Sequence, residues 1–222
     1  PINRTFTTQE LGFETLKFNS VAAQMSRGKS EKTVAFAMSS VAATLAKFSM
    51  DVCLYMSQNF DFITLPAHLT TGSSIMPHKK NPDVFELIRG KCNKIQALPY
   101  EITLITNNLP SGYHRDLQLL KEGLFPAIQN LKACLDIALF SIKDIKVKEH
   151  ILDDKKYDYL FTVDSLNEMV VAGMPFRDAY KAVAEQLENG TFQSPKETKH
   201  THEGSINNLC LDAIKEKMRA SF

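Results

Sequence analysis

Apolar side chains recur every three or four residues along most of the chain, a spacing that predicts α-helices. The clearest run extends from Ser30 to Ser57, where steps of four and three residues alternate as in a coiled-coil seam. A helix over this run would be about 42 Å long, longer than many small domains are wide. We therefore expect it to pass through the core of a helical bundle. Its apolar positions are Val34, Met38, Val41, Leu45, Phe48, Val52 and Tyr55.

Two further long helices are predicted. One begins after Pro82, with Asn81 or Asp83 as the candidate N-cap, and Pro99 should kink or break it. The other extends from Leu117 to Ile142, with a bend at Pro126. No segment alternates with a period of two for long enough to predict a convincing sheet. The expected fold class is therefore all-α, with long helices packed as a bundle.

The pattern changes near Lys146, where segments shorten and turn signals appear. Gly173 should end one helix and Pro175 should start the next, and Asn189-Gly190 marks another turn. We expect a bundle domain over residues 1–145 and a small helical domain over residues 146–222. Three long amphipathic helices do not easily bury their apolar seams alone, so self-association is also expected.

Composition excludes several classes of function. The net charge of +1 is too small to suggest a nucleic-acid or anionic-membrane partner. No uninterrupted apolar run approaches the roughly 20 residues needed to cross a bilayer. The four cysteines (Cys53, Cys92, Cys134 and Cys210) lie far apart and form no metal-ligand pattern, so no metal site is expected. We interpret them as reduced thiols of a cytoplasmic protein. The chain starts at Pro1 without Met, which suggests that its first residue is internal.

Residues Thr70–Pro82 concentrate hydroxyl, imidazole, ammonium and amide groups between the first two long helices. Gly72 allows the backbone to approach a ligand closely, and Pro77 and Pro82 restrict the loop. A polar connector without chemistry has the same composition, and composition alone favours that interpretation.

The full string Gly72-Ser73-Ser74-x-Met76-Pro77-x-Lys79-x-Asn81-Pro82 resembles the signature loop of the fumarase/aspartase/argininosuccinate lyase superfamily. The resemblance implies that Ser73 is the catalytic base. It also implies that Lys79 and Asn81 bind and polarise a substrate carboxylate. Ser74 is the nearest competitor for the base, but a turn-stabilising hydroxyl is the favoured interpretation for it. We assign no catalytic role to His78 or Lys80.

Glu86 follows the loop by about one helical turn, and a solvent-facing helical Glu is its ordinary interpretation. In argininosuccinate lyases, the Glu at this spacing pairs with a histidine of another subunit and raises its basicity. The resemblance thus implies a catalytic function for Glu86. No histidine of this chain occupies the matching position.

The segment Leu109–Glu122 resembles the argininosuccinate lyase pattern Leu-Pro-x-x-Tyr-x-x-Asp-x-Gln-x-x-Lys-Glu. There the Tyr, Gln and Lys contact substrate, which implies substrate binding by Tyr113, Gln118 and Lys121. Gln118 and Lys121 would share one face of a helix because they are three residues apart. Taken alone, the segment fits two interpretations equally well. It is either a substrate site, or a pair of surface charges (Lys121 and Glu122) beside a half-buried Tyr113.

Shorter stretches such as Pro1–Arg4, Glu10–Phe13 and Gly173–Arg177 also resemble argininosuccinate lyases, so the resemblance spans nearly the whole chain. Where that family usually has Ser-Asp-Arg-Asp, this chain has Met25–Gly28, and only Arg27 agrees.

The resemblance implies cofactor-free β-elimination of argininosuccinate to arginine and fumarate by a homotetramer. Three subunits of that tetramer contribute to each site. Two further site motifs belong to the N-terminal half of the family and are absent here. We therefore expect this chain alone to be oligomeric but inactive. The alternatives are another superfamily lyase, such as adenylosuccinate lyase, and a catalytically silent helical fragment.

Overall fold

The computed structural model describes residues 1–221, which form two compact units, one of residues 1–148 and one that begins at Glu149. Helices dominate both units, which confirms the all-α prediction. The two named strands of the described residues have two residues each: β1 (Ile63–Thr64) pairs antiparallel with β2 (Lys146–Val147). This pairing keeps residues 146–148 with the first unit, three residues beyond the boundary that the sequence suggested.

The first unit begins with two short helices, α1 (Arg4–Glu10) and α2 (Ser20–Met25), each capped by an asparagine. Its bundle consists of α3 (Lys29–Tyr55), α4 (Asp83–Gln96), α5 (Leu98–Thr106) and α6 (Leu120–Ile142). Short 3-10 turns lie at Ala67–Leu69 and Arg115–Gln118. The predicted positions of the long helices are therefore confirmed to within about three residues.

Prolines mark both ends of α4. Pro82 occupies the N-cap position and makes no side-chain hydrogen bond there. The prediction that Asn81 or Asp83 caps this helix was therefore wrong. The helix does break before Pro99, where Ala97 separates α4 from α5. Pro99 then lies in the first turn of α5, where its missing N–H costs nothing.

The predicted seam of α3 is only half buried in this chain. Met38, Leu45 and Val52 are buried, but Val34 and Val41 are 45% and 44% exposed. The row beside the buried large residues is instead made of small side chains, Ala35, Ala42 and Ser49, which are each 0% exposed. Small side chains allow neighbouring helices to approach closely, so the core of this bundle uses a row that a search for large apolar residues overlooks.

Helix α6 repeats this arrangement. Leu124 and Leu131 are buried as expected, whereas Leu135 and Ile142 are exposed. Cys134 of α6 and Cys92 of α4 are both buried, and burial raises the pKa of the Cys92 thiol to about 12. Small residues again complete the inward face of α6, namely Ala127, Ala138 and Ser141.

Two stretches, Ser20–Tyr55 and Arg115–Ile142, are long and apolar enough to cross a membrane by length and composition alone. The sequence prediction concerned uninterrupted apolar runs, and polar side chains such as Lys47 and Lys132 interrupt both stretches. Core helices of soluble bundles have the same length and composition. Both stretches contribute buried residues to the bundle core, as Leu45 and Leu131 illustrate.

The second unit contains α7 (Thr162–Val171), α8 (Phe176–Glu188) and α9 (Leu211–Ala220), with 3-10 turns at Ile151–Asp153 and Lys155–Phe161. Gly173 follows α7 with φ of +101°, and Pro175 occupies the N-cap of α8, close to the predicted positions. A small core of Leu166, Ala179 and Val183 joins α7 and α8.

Gly28 and Gly90 provide a matched pair for testing the bundle packing. Gly28 caps α3 with φ of +86°, and a Cβ built on it would lie 2.4 Å from Thr106 Cγ2. Gly90 lies inside α4, and a Cβ there would meet nothing within 4 Å. We expect Gly28→Ala to destabilise the fold by about 1–3 kcal/mol because it combines a backbone strain with a clash.

Gly90→Ala should instead stabilise the fold by roughly 0.5–1 kcal/mol, since alanine has the lower entropic cost in a helix. Chemical denaturation followed by circular dichroism measures both effects. Equal unfolding midpoints for the two variants would contradict the packing described at the start of α3.

Candidate active site

The loop Thr70–Pro82, called the signature loop below, is closed at its base by an isolated antiparallel bridge. The Thr71 N–H donates to Asn81 O at 3.1 Å, and the Asn81 N–H donates to Thr71 O at 2.8 Å. Asn81 Nδ2 also donates to Thr71 O, at 3.3 Å. The bridge makes the nine residues between them a closed loop directly before α4.

Ser73 forms a tight turn inside the signature loop. Its Oγ accepts the backbone N–H groups of Ile75 at 3.2 Å and Met76 at 3.1 Å. These contacts leave the hydroxyl proton free to point elsewhere, and both donors would stabilise negative charge on Oγ. Ser74, the competing hydroxyl, is exposed, and no such pair of donors to its Oγ is found in residues 1–221.

A cavity of about 790 Å³ lies between the signature loop, the end of α3, β1 and the start of α4. It brings together three of the predicted site residues, Lys79, Asn81 and Glu86. Ser73 is half-buried within the loop and is not part of the lining. Further lining residues are Cys53, Met56, Ser57, Gln58, Asp61, Ile63, Thr64, Leu65, Met76, His78, Lys80 and Pro82.

Asn81 has a structural function in this conformation, because one of its two Nδ2 hydrogens is used on Thr71 O. The second N–H and Oδ1 remain available to a ligand. Glu86 is exposed on the first turn of α4, and its backbone N–H donates to Pro82 O at 3.0 Å. Its side chain reaches the cavity from the helix rather than from the loop, as its predicted position one turn after Pro82 requires.

Cys53 lines the cavity, although the sequence analysis interpreted it only as one of four reduced thiols. The pKa of its thiol is raised, mainly because the thiol is partly buried. The positive charge of Arg89 opposes this increase in pKa, and the negative charge of Glu86 adds to it. The thiol therefore stays neutral near pH 7 beside the Glu86 carboxylate. Cys53 lies in the last turn of α3 and also packs against the bundle core, a position that depends on contacts between distant segments.

The second predicted group lies on a different part of the bundle. Gln118 Nε2 donates to the Tyr113 hydroxyl at 3.0 Å, so these two side chains are held together. Gln118 ends the 3-10 turn Arg115–Gln118, and Lys121 belongs to the first turn of α6. Leu119, which lies between the two segments, also has helical backbone angles (φ −63°, ψ −23°), so the sharing of one helical face by Gln118 and Lys121 stays a prediction. Tyr113, Gln118 and Lys121 are all exposed.

The two predicted groups lie at opposite ends of α3. The signature loop adjoins its C-terminal end, where Phe48 and Phe85 form a T-shaped contact with ring centroids 5.9 Å apart. The Tyr113 segment adjoins its N-terminal end, where Arg27 donates to Leu117 O at 3.2 Å. The 27 residues of α3 extend about 40 Å at 1.5 Å per residue. Side chains of the two groups within one chain therefore cannot contact the same small molecule.

No group of three or more His, Cys, Asp or Glu side chains in residues 1–221 is arranged to hold a metal ion. The first unit offers a lysine, an amide and a carboxylate around one cavity, and the Ser73 hydroxyl with its two N–H donors lies in the adjoining loop.

Comparison with known proteins places this geometry in a family. A family model described as a lyase matches residues 2–97. The argininosuccinate lyase of Parabacteroides distasonis is 59% identical over 99% of this chain and 49% of its own length. The argininosuccinate lyase of Bacteroides fragilis is 57% identical over 100% of this chain and 50% of its own length. The chain thus spans about half the length of these curated relatives.

Solved structures with low sequence identity share the fold. An EDDS lyase variant with bound fumarate has a TM-score of 0.65 and 20% identity, and 86% of this chain and 39% of that chain are covered. Class II fumarase from Schistosoma mansoni has a TM-score of 0.64 and 17% identity, with 96% and 43% covered.

Sequence identity over the whole chain and the all-helical fold agree with the signature loop that the structure closes through Thr71 and Asn81. The chain therefore belongs with the argininosuccinate lyases that it matches over its whole length, and it spans about half of each.

Proposed function

We propose that this chain supplies about half of an argininosuccinate lyase, which splits argininosuccinate into arginine and fumarate. The observation that carries the proposal is the identity of 59% to such an enzyme over 99% of the chain. The signature loop with Ser73, Lys79 and Asn81 lies within that matched region. The substrate and the activity are proposed from these relatives and from the chemistry below.

The reaction needs a site that stabilises a carbanion next to a carboxylate. Removing a proton from that carbon forms an aci-carboxylate with two negative charges. This species is too unstable to form unless hydrogen-bond donors and a cation stabilise it. A preorganised donor of this kind is typically worth about 3–4 kcal/mol of the barrier. Lys79 and the free N–H of Asn81 face one cavity and would bind the substrate carboxylate whose charge increases.

Ser73 is the proposed base. A serine hydroxyl is a weak base near pH 7, so it must act with alkoxide character. The N–H groups of Ile75 and Met76 already point at its Oγ and would stabilise that charge. Because Ser73 lies outside the cavity lining, the loop must move to bring Oγ to the substrate, as loops that close over substrates do.

Glu86 is proposed as a positioning residue. It would orient and charge a histidine from outside this chain, so that the imidazole gives its proton to the leaving amine. Tyr113, Gln118 and Lys121 are proposed to bind the rest of the substrate. Since they lie about 40 Å of helix away from the signature loop, they would complete a site formed by the loop of another subunit.

Exposed apolar faces support association into the proposed homotetramer. Val34, Phe36 and Val41 on α3 and Leu135 and Leu139 on α6 are all 40% or more exposed. Contiguous apolar surface on several neighbouring helices marks an interaction surface rather than a solvent face. Burying it between copies would also bring opposite ends of different α3 helices together. We propose the cytoplasm as the location, as for a soluble biosynthetic enzyme.

The first test replaces the proposed base. The chain is co-expressed with the half of the Parabacteroides distasonis relative that it does not match, and fumarate release is followed by absorbance. We expect Ser73→Ala to lower kcat by at least about 10²–10⁴-fold, because the proton on carbon loses its acceptor. Ser74→Ala is the matched control and should retain most of the activity.

Circular dichroism must show that both serine variants keep the helical fold. Loss of activity in Ser74→Ala with a normal Ser73→Ala enzyme would contradict the assignment of the base. Turnover of adenylosuccinate, but not argininosuccinate, by the unchanged pair would contradict the proposed substrate. The chain without its complement should release no fumarate.

The second test mixes two inactive variants. Ser73→Ala removes the loop function and Lys121→Met removes the binding function, and each variant is expressed with the complementary half. If each site takes these groups from different subunits, random mixing restores activity at roughly a quarter of the sites. Refolding the variants together and measuring fumarate release tests this expectation. Activity no higher than that of the separate variants would contradict the shared site.

A further inference from the structure

A second, smaller cleft lies away from the signature loop, between the α4–α5 segment and α6. Its volume is about 270 Å³. The floor contains Ile95, Leu98 and Ala127, which are at most 9% exposed. The size suits a single amino-acid-sized molecule, since sites for larger ligands are commonly 300–1,000 Å³.

Gly123 creates part of this space. A Cβ built on Gly123 would lie 2.9 Å from Glu101 Oε1 and 3.0 Å from Leu98 Cδ1. The absence of a side chain thus lets the Glu101 carboxylate lie directly on the first turn of α6.

The charges around the cleft are separated by sign. Glu101 and Glu122 lie beside Gly123 at the start of α6, whereas Lys91 and Lys94 line the cleft from α4. Lys94 and Glu101 are seven residues apart, or about 10 Å along the helical path. None of the four charged side chains has an ion pair or hydrogen bond among residues 1–221.

We propose that this cleft binds an α-amino acid with a cationic side-chain end, of which L-arginine is the probe. Its carboxylate would lie at Lys91 and Lys94, its aliphatic stem on the apolar floor, and its cationic end at Glu101 and Glu122. A molecule of this shape pairs both ends of the cleft at once, whereas a simple anion or cation pairs only one. The proposal does not depend on the proposed lyase activity.

The cleft is separate from the residues proposed to bind the lyase substrate. Its lining contains no residue of the signature loop and neither Tyr113, Gln118 nor Lys121. Glu122 is the neighbour of Lys121 in sequence, so Glu101 and Lys94 are the residues that separate the two sites experimentally.

Isothermal titration calorimetry of the 222-residue chain with L-arginine tests the proposal. Two analogues serve as ligand controls: agmatine lacks the carboxylate, and L-norvaline lacks the cationic end. Each lost charge-assisted contact should weaken binding by roughly 10- to 100-fold. No binding of arginine at millimolar concentration, or equal affinities for arginine and both analogues, would overturn the proposal.

Protein variants locate the bound arginine. Glu101→Gln and Lys94→Gln should each weaken binding by about ten-fold or more. Asp136→Asn, an exposed carboxylate of α6 outside the lining, is the matched control and should change nothing. Circular dichroism verifies that all variants are folded.

Lys121→Met distinguishes the cleft from the proposed substrate site. Arginine is also the product of the proposed reaction, so binding at that site is the competing explanation. Binding that survives Lys121→Met but weakens in Glu101→Gln supports the cleft. Binding that is lost in Lys121→Met and unchanged in Glu101→Gln overturns the cleft proposal and leaves the proposed lyase function intact.

Discussion

Close packing of α4 against α3 is the interaction on which the rest of the structure depends. Ala35, Ala42 and Ser49 present almost no side-chain volume, so α4 approaches α3 along its length. This contact anchors the base of the signature loop near one end of α3, because the loop leads directly into the start of α4. It also makes α3 a straight spacer of about 40 Å, which fixes the second group of predicted site residues at the other end.

The same helix explains why one chain leaves apolar surface uncovered. Its inward face uses small residues with Met38, Leu45 and Val52, whereas the larger Val34 and Val41 point away. The chain thus keeps a second apolar stripe on α3, and α6 keeps another. Association of several copies with staggered ends, as proposed above, would both complete the proposed divided site and cover the apolar outer faces of the bundle.

Sequence patterns predicted the helices and the loop well because both depend on local information. Pro99 broke its helix because proline lacks an N–H, and the loop motif lies within a short stretch of residues. Features that depend on packing between distant segments were not predictable in this way. The burial of small residues on α3, the 3-10 geometry at Gln118 and the cavity position of Cys53 all depend on contacts that no local pattern encodes.

The most direct test of the divided site is cross-linking between Lys79 and Lys121, which are both exposed. Equal amounts of unlabelled and ¹⁵N-labelled chain are unfolded, refolded together and treated with a short amine-reactive cross-linker. Mass spectrometry then shows whether linked Lys79 and Lys121 peptides come from one chain or from two. If the site is divided between two chains, linked pairs of one light and one heavy peptide should be as frequent as pairs in which both peptides carry the same label. Linked pairs of equal label alone would show that both lysines meet within one chain and would contradict the account.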